Sequence, residues 1–299
     1  MFSTTIPRMS LRRILRVGAF VGFSMATATD FVSPQQAPSP KGARTLLLPR
    51  QIVSGERATL AVLDANGRLT PGVTVRFSNG DQFKTDATGR ALFVAPLDTG
   101  AIFATLPGRS ARVRTAVLTA READSSSMEI STVPQVALVT DRFEISGRGF
   151  CGDADSNQVT VGGRTALILA SSPVSLMVLP PSELKTGTAS MKISCNKNTT
   201  PPFLITFVEL ALEADSSPLK PGEHRSLTVR VRGTSAKIAL QARNLASGIA
   251  ELIGGTTVKQ TSSGGPNNTA KFTLVGRKRG SFSISIRLVP VGGQPSPKS

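Results

Sequence analysis

Apolar residues along this chain recur mostly with a period of two, in short runs. Arg57–Leu63 (RATLAVL), Gly72–Phe77 (GVTVRF), Gly100–Thr105 (GAIFAT), Ser226–Val231 (SLTVRV) and Ser281–Arg287 (SFSISIR) all carry this pattern. Such spacing sends side chains alternately to two faces, as half-buried strands require. Gly, Pro, Asn and Asp punctuate the runs, and turn signals recur about every ten residues. Ala239–Ile253 is the one stretch that tempts a helix. Gly248 and Asn244 weaken that reading, and strand–turn–strand fits its neighbours better. The pattern predicts an all-β chain of successive β-sandwiches.

The chain has 299 residues, enough for two or three domains with real cores. Residues 1–28 contain no acidic side chain. Arg8, Arg12, Arg13 and Arg16 precede the apolar stretch Val17–Met25, and Ala26-Thr27-Ala28 follows it. That is the layout of a secretory signal peptide. General secretion, twin-arginine export and a mitochondrial-type transit peptide are the alternatives it leaves open. The apolar stretch is too short for a stable span, so no transmembrane anchor is expected after cleavage. Residues 29–44 read as a Pro/Ser-rich linker and 291–299 as a disordered tail. Between them, strand and turn patterns divide into modules at about 45–120, 131–208 and 209–290.

In the first module, Asp64-Ala65-Asn66-Gly67 predicts a tight hairpin, with Gly72–Phe77 as the return strand. Thr85–Ala91 (TDATGRA) then precedes Leu92–Ala95 and a Gly-started strand. This run resembles bacterial immunoglobulin-like domains of the invasin/intimin type, and carboxypeptidase regulatory-like modules nearly as well. In the second module, Ile145–Phe150 (ISGRGF) is followed by Gln158–Gly163 (QVTVGG) and then by Ser171–Gly187. This string is similar to IPT/TIG domains. Gly147 and Gly149 are expected to permit a sharp bend that drives Phe150 into the core. The third module has only the general pattern. Together the resemblances imply tandem immunoglobulin-like β-sandwiches, about three, and inform fold more than function.

Cys151 and Cys195 are the two cysteines. In an exported protein an isolated pair reads as one disulfide, stapling the second module; two buried free thiols are the alternative. A closed loop of that length would stabilise by about 4 kcal/mol at most. Catalysis finds few parts. His224 is the single imidazole, no G-x-S-x-G elbow is present, and no phosphate loop occurs. Asp153-Ala-Asp155-Ser-Asn157 starts like a calcium loop, but Gln158 and Arg164 stand where Gly and Glu are needed. An exposed polar loop is the better reading. No enzyme activity, metal site or cofactor is expected.

Basic side chains carry the remaining signal. The formal charge is +16, and removal of four leader arginines leaves 31 − 19 = +12. Arg109, Arg112 and Arg114 fall in one run, and Arg230 and Arg232 in another; even spacing puts Arg112 with Arg114, and Arg230 with Arg232, on one face. With Arg277, Lys278 and Arg279 they are candidates for a surface that takes anions. The chain has no Trp and no Tyr, which counts against a sugar-stacking platform. The clusters lack interleaved aromatics and a reading helix, so no specific nucleic acid is expected. The leading expectation is a secreted, periplasmic or cell-surface module string, acting in adhesion, macromolecular binding or structural spacing. Its partner would be another protein or an envelope macromolecule. The alternative is an anion- or polysaccharide-binding accessory protein, with an anionic glycan as partner.

Overall fold

The computed structural model describes residues 18–21, 44–120, 127–213, 217, 219–245 and 248–289. The expected leader, linker and tail lie outside these residues, apart from Gly18–Val21 and Arg44. Among the described residues, every complete regular element longer than one 3-10 turn is a strand. The alternating pattern therefore gives an all-β molecule of tandem β-sandwiches, with three hydrophobic cores centred on residues 46–117, 128–207 and 208–286. Gly18–Val21, within the expected leader, forms β1.

Module 1 contains β2 (Thr45–Leu47), β3 (Gln51–Val53), β4 (Arg57–Leu63), β5 (Thr74–Phe77), β6 (Gln82–Lys84), β7 (Arg90–Val94), β8 (Gly100–Thr105) and β9 (Arg112–Leu118). One sheet pairs β2, β4 and β7; the other has the order β3-β9-β8-β5-β6. The core lies between them, around Ile52, Leu60, Val75, Ala104 and a Phe77–Phe83–Phe93 cluster. The expected hairpin between β4 and β5 does not form. Asp64 does close a turn by accepting the Asn66 and Arg68 amides. Beyond the Leu63–Leu69 bridge, however, the chain crosses to the opposite sheet. The buried Thr85 hydroxyl anchors that crossing, accepting the Val73 amide and donating to the Thr70 carbonyl.

Module 2 contains β10 (Glu129–Thr132), β11 (Val136–Leu138), β12 (Phe143–Arg148), β13 (Asn157–Val161), β14 (Arg164–Ser172), β15 (Ser175–Leu179), β16 (Gly187–Cys195), β17 (Asn198–Thr199) and the start of β18 (Phe203–Glu213). β14 changes sheets: its first residues pair with β13 and its later ones with β15. Phe150 is 5% exposed and packs in the core, as expected. The two glycines before it differ in purpose. Gly149 has φ +78, which disfavours other residues, whereas Gly147 makes room. A Cβ on Gly147 would stand 2.2 Å from the Glu129 carbonyl oxygen of the adjacent strand.

Module 3 contains β19 (His224–Arg232), β20 (Ala239–Asn244), β21 (Ala250–Leu252), β22 (Thr257–Thr261), β23 (Thr269–Gly276) and β24 (Phe282–Leu288). The end of β18 joins β19, β23 and β21 in one sheet, opposite β1-β24-β20-β22. β18 is thus shared. Residues 203–207 pair with β16 in module 2, and residues 209–213 pair with β19 in module 3. No linker separates these two modules; a single strand runs through the boundary.

Modules 1 and 2 also meet directly. Thr59 of β4 pairs with Ser171 of β14. Leu47, Ala61 and Leu63 pack against Leu169 and Ala170 in a fourth apolar cluster between the modules. This overturns the half-buried reading of β4. Ala58 through Leu63 are all buried, because one face lines the module 1 core and the other meets module 2.

Candidate cationic face

The outward face of the five-stranded sheet of module 1 is set by strand parity. Phe77, Ala104 and Ile102 point into the core, so their neighbours in sequence point out. Cross-strand register aligns Arg112 with Thr105 and Thr105 with Arg76, in one row across β9, β8 and β5. Arg114 stands opposite Phe103, and Lys84 opposite Thr74. Arg76, Lys84, Arg112 and Arg114 are all exposed, and Phe103 is 36% exposed among them. Arg112 and Arg114 are about 7 Å apart along the strand, and Arg76 lies two strands over, about 10 Å away. None of the positions that register places on this face is acidic.

The arrangement concentrates positive charge. Among the described residues, Arg76, Lys84, Arg112 and Arg114 form no salt bridge. Their charge is open to an external anion. Arg109 sits in the exposed turn before β9 and keeps a bonding partner within the chain. The spacing in Arg112–Arg114 was legible in sequence. Arg76 and Lys84 were not, because each stands alone in its own strand and only the pairing register brings it to the row.

The other expected cations are differently placed. Arg230 and Arg232 lie on β19 in module 3, beside the glutamates of β18. Arg230 Nε stands 2.8 Å from Glu213 Oε1, as an ion pair without hydrogen-bond alignment. Arg232 Nη1 stands 3.5 Å from Glu209 Oε2. Arg277 Nε donates to Glu251 Oε2 at 2.6 Å. Lys278 and Arg279 are exposed in the turn after β23. The first set thus belongs to module 1 and the other two to module 3, at the paired strands β19 and β23, and much of the module 3 charge is internally matched.

Cys151 and Cys195 form a disulfide within module 2. Asp153–Asn157 is not the exposed loop expected from sequence. Ala154 and Asn157 are buried, and Asp155 bonds to Arg90 of module 1 at 2.6 Å. Among the described residues, no three His, Cys, Asp or Glu side chains stand together as metal ligands. His224 borders an open groove of about 400 Å³ in module 3, beside the Glu251–Arg277 pair. No helix among the described residues is long and apolar enough to cross a membrane.

No known family model matches the chain, and no curated protein matches it. Solved structures give only distant likenesses. One is the Bacteroides ovatus mixed-linkage glucan utilization locus protein SGBP-B, bound to a mixed-linkage heptasaccharide. It is 13% identical with a TM-score of 0.30, over 80% of this chain and 73% of that one. The plexin A4 extracellular region is 12% identical with a TM-score of 0.29, over 86% of this chain and 23% of that one. The surface-layer protein SbsC is 13% identical with a TM-score of 0.19, over 84% and 39%. Likeness at this level carries no argument about function.

Proposed function

We propose that this chain is an exported, non-enzymatic binding protein of the bacterial cell envelope that presents the module 1 cationic face to an anionic glycan. The observation that carries the reading is the cluster Arg76, Lys84, Arg112 and Arg114 on one exposed sheet face with no acidic residue at its paired positions. The Cys151–Cys195 disulfide supports an oxidising compartment outside the cytosol. The basic, apolar and small-residue order of residues 1–28 supports export through a cleaved leader. Kinship of the first two modules with invasin/intimin-type (or carboxypeptidase regulatory-like) and IPT/TIG domains belongs to the same proposal.

The direct test is retention of protein beginning at Thr29 on immobilised heparin, with elution by rising salt. Exposed ion pairs are worth ~0.2–1 kcal/mol each and weaken with ionic strength. Retention is expected to fall as salt rises, and to fall further in Arg112→Glu/Arg114→Glu. Retention independent of salt, or unchanged in that variant, would overturn the reading. A spacing role is a second reading, favoured by β18, which carries one strand unbroken from module 2 into module 3.

A further inference from the structure

We infer that residues 151–157 form a clasp that docks module 2 onto module 1, and that the Cys151–Cys195 disulfide keeps the clasp shaped for docking. The disulfide thus acts on an interface between modules, beyond the module it staples.

The inner side of the loop is organised by Asn157. Its side-chain oxygen accepts the Cys151 amide at 2.9 Å, and its Nδ2 donates to the Cys151 carbonyl and the Asp153 carbonyl, both at 2.8 Å. Ser171 Oγ also donates to the Cys151 carbonyl. Asn157 itself stands opposite Cys195 in the β13–β16 pairing. The loop therefore leaves the disulfide at Cys151 and returns beside the other half of the same disulfide.

The outer side of the loop touches module 1 through several contacts. Thr59 Oγ1 donates to the Gly152 carbonyl at 2.9 Å and accepts the Ala154 amide at 3.0 Å. Gly152 lies so close to β4 that a Cβ there would stand 1.9 Å from the Arg57 carbonyl oxygen. Asp155 bonds Arg90, whose Nη1 also donates to the Ile168 carbonyl at 3.3 Å. One hydroxyl serving a carbonyl and an amide two residues apart needs a fixed loop shape. Freed at Cys151, the loop gains conformations that cannot satisfy Thr59.

Cys151 is partly exposed, so a dithiol can attack there. The S–S bond breaks, each cysteine sulfur gains one electron and one proton, and the dithiol is oxidised to its own disulfide. Both thiols then remain in module 2, and the clasp loosens.

The Ala154 amide is the reporter, because its hydrogen bond exists only when the modules are docked. Hydrogen exchange would be followed in the whole chain from Thr29, oxidised and after treatment with dithiothreitol, with thiols counted in parallel. Reduction to two free thiols is expected to speed exchange at Ala154 at least tenfold. The core amide of Ile193 should keep its protection. Gly152→Ala should speed Ala154 exchange similarly with the disulfide intact and no free thiol. Unchanged Ala154 exchange on full reduction, equal loss of protection at Ile193, or wild-type exchange in Gly152→Ala would each overturn the clasp. Heparin retention plays no part in these readouts, so their failure is separable from failure of the proposed function.

Discussion

Arg90 reaches across the boundary between modules 1 and 2 to Asp155 at 2.6 Å, yet the partners sit in unlike surroundings. The Arg90 side chain is 11% exposed and that of Asp155 is 72% exposed. The pair should therefore respond unequally to loss of either member. Arg90→Ala removes the ion pair and also strips the Ile168 carbonyl of its donor. Loss of such buried bonds costs about 1–3 kcal/mol. Asp155→Asn leaves a guanidinium that retains other partners, so its cost should stay below about 1 kcal/mol. Urea unfolding of the two variants checks this. Equal destabilisation would show that Arg90 depends on Asp155 more than its burial implies.

Leu169 is 2% exposed, and the cluster it joins includes Leu47, Ala61 and Leu63 of the other module. Leu169→Ala would empty apolar volume between the modules, at about 2–5 kcal/mol. Modules 1 and 2 are expected to unfold in one calorimetric transition in the native chain. In the variant that transition should move down or split, because the coupling energy falls while the module 1 core keeps its packing. A variant that melts as the native chain does would argue that the interface adds little stability.

Asp86 connects pH to the turn that presents Arg90. Its carboxylate accepts the Thr88 hydroxyl at 2.7 Å, the Thr88 amide at 2.8 Å and the Arg90 amide at 3.3 Å. The Thr88 hydroxyl bond is the main reason its pKa lies below the usual carboxylate value; desolvation opposes it, and the Arg90 and Thr88 amide bonds and the Arg90 charge add to the lowering. A carboxylate depressed in the folded state stabilises above its unfolded pKa, near 3.9, and that contribution fades as pH falls through the folded value. Stability should therefore drop below about pH 4, and Asp86→Asn should flatten the acid limb. Chemical denaturation at pH 3 and pH 7 measures the difference. An acid limb of unchanged slope in Asp86→Asn would assign the loss to other carboxylates.

The strands were legible because their period of two survives wherever one face meets solvent. Interfaces between modules were not. In RATLAVL, Thr59, Ala61 and Leu63 read as one face of a half-buried strand. Nothing local shows that a second module covers it. The signal, in hindsight of the packing, is that this outer face is small and apolar where a solvated one would carry charge. Asp153–Asn157 was misread for the same reason, since polar residues can satisfy a docked loop as well as water can. The cation sites divide along similar lines. Residues two apart in one strand declare a shared face, but partners contributed by a neighbouring strand require the register.

That register also separates cations that can bind outward from cations already matched. Glu209 stands opposite Arg232 across β18 and β19, and Glu213 lies within 2.8 Å of Arg230. Arg230→Glu/Arg232→Glu would bring like charges together and lower stability by a few tenths to about 1 kcal/mol. It should lower heparin retention only modestly, since those arginines already face carboxylates. Arg112→Glu/Arg114→Glu changes net charge by the same amount. It places two acids in a row with no internal partner to repel, so its stability should hold within about 0.5 kcal/mol. Its affinity for heparin should fall roughly tenfold or more, equivalent to 1.4 kcal/mol. The two variants have equal net charge, so a difference in elution salt reads position alone. Identical elution would mean that heparin senses only the overall charge of the chain, and the module 1 face would lose its claim as a site.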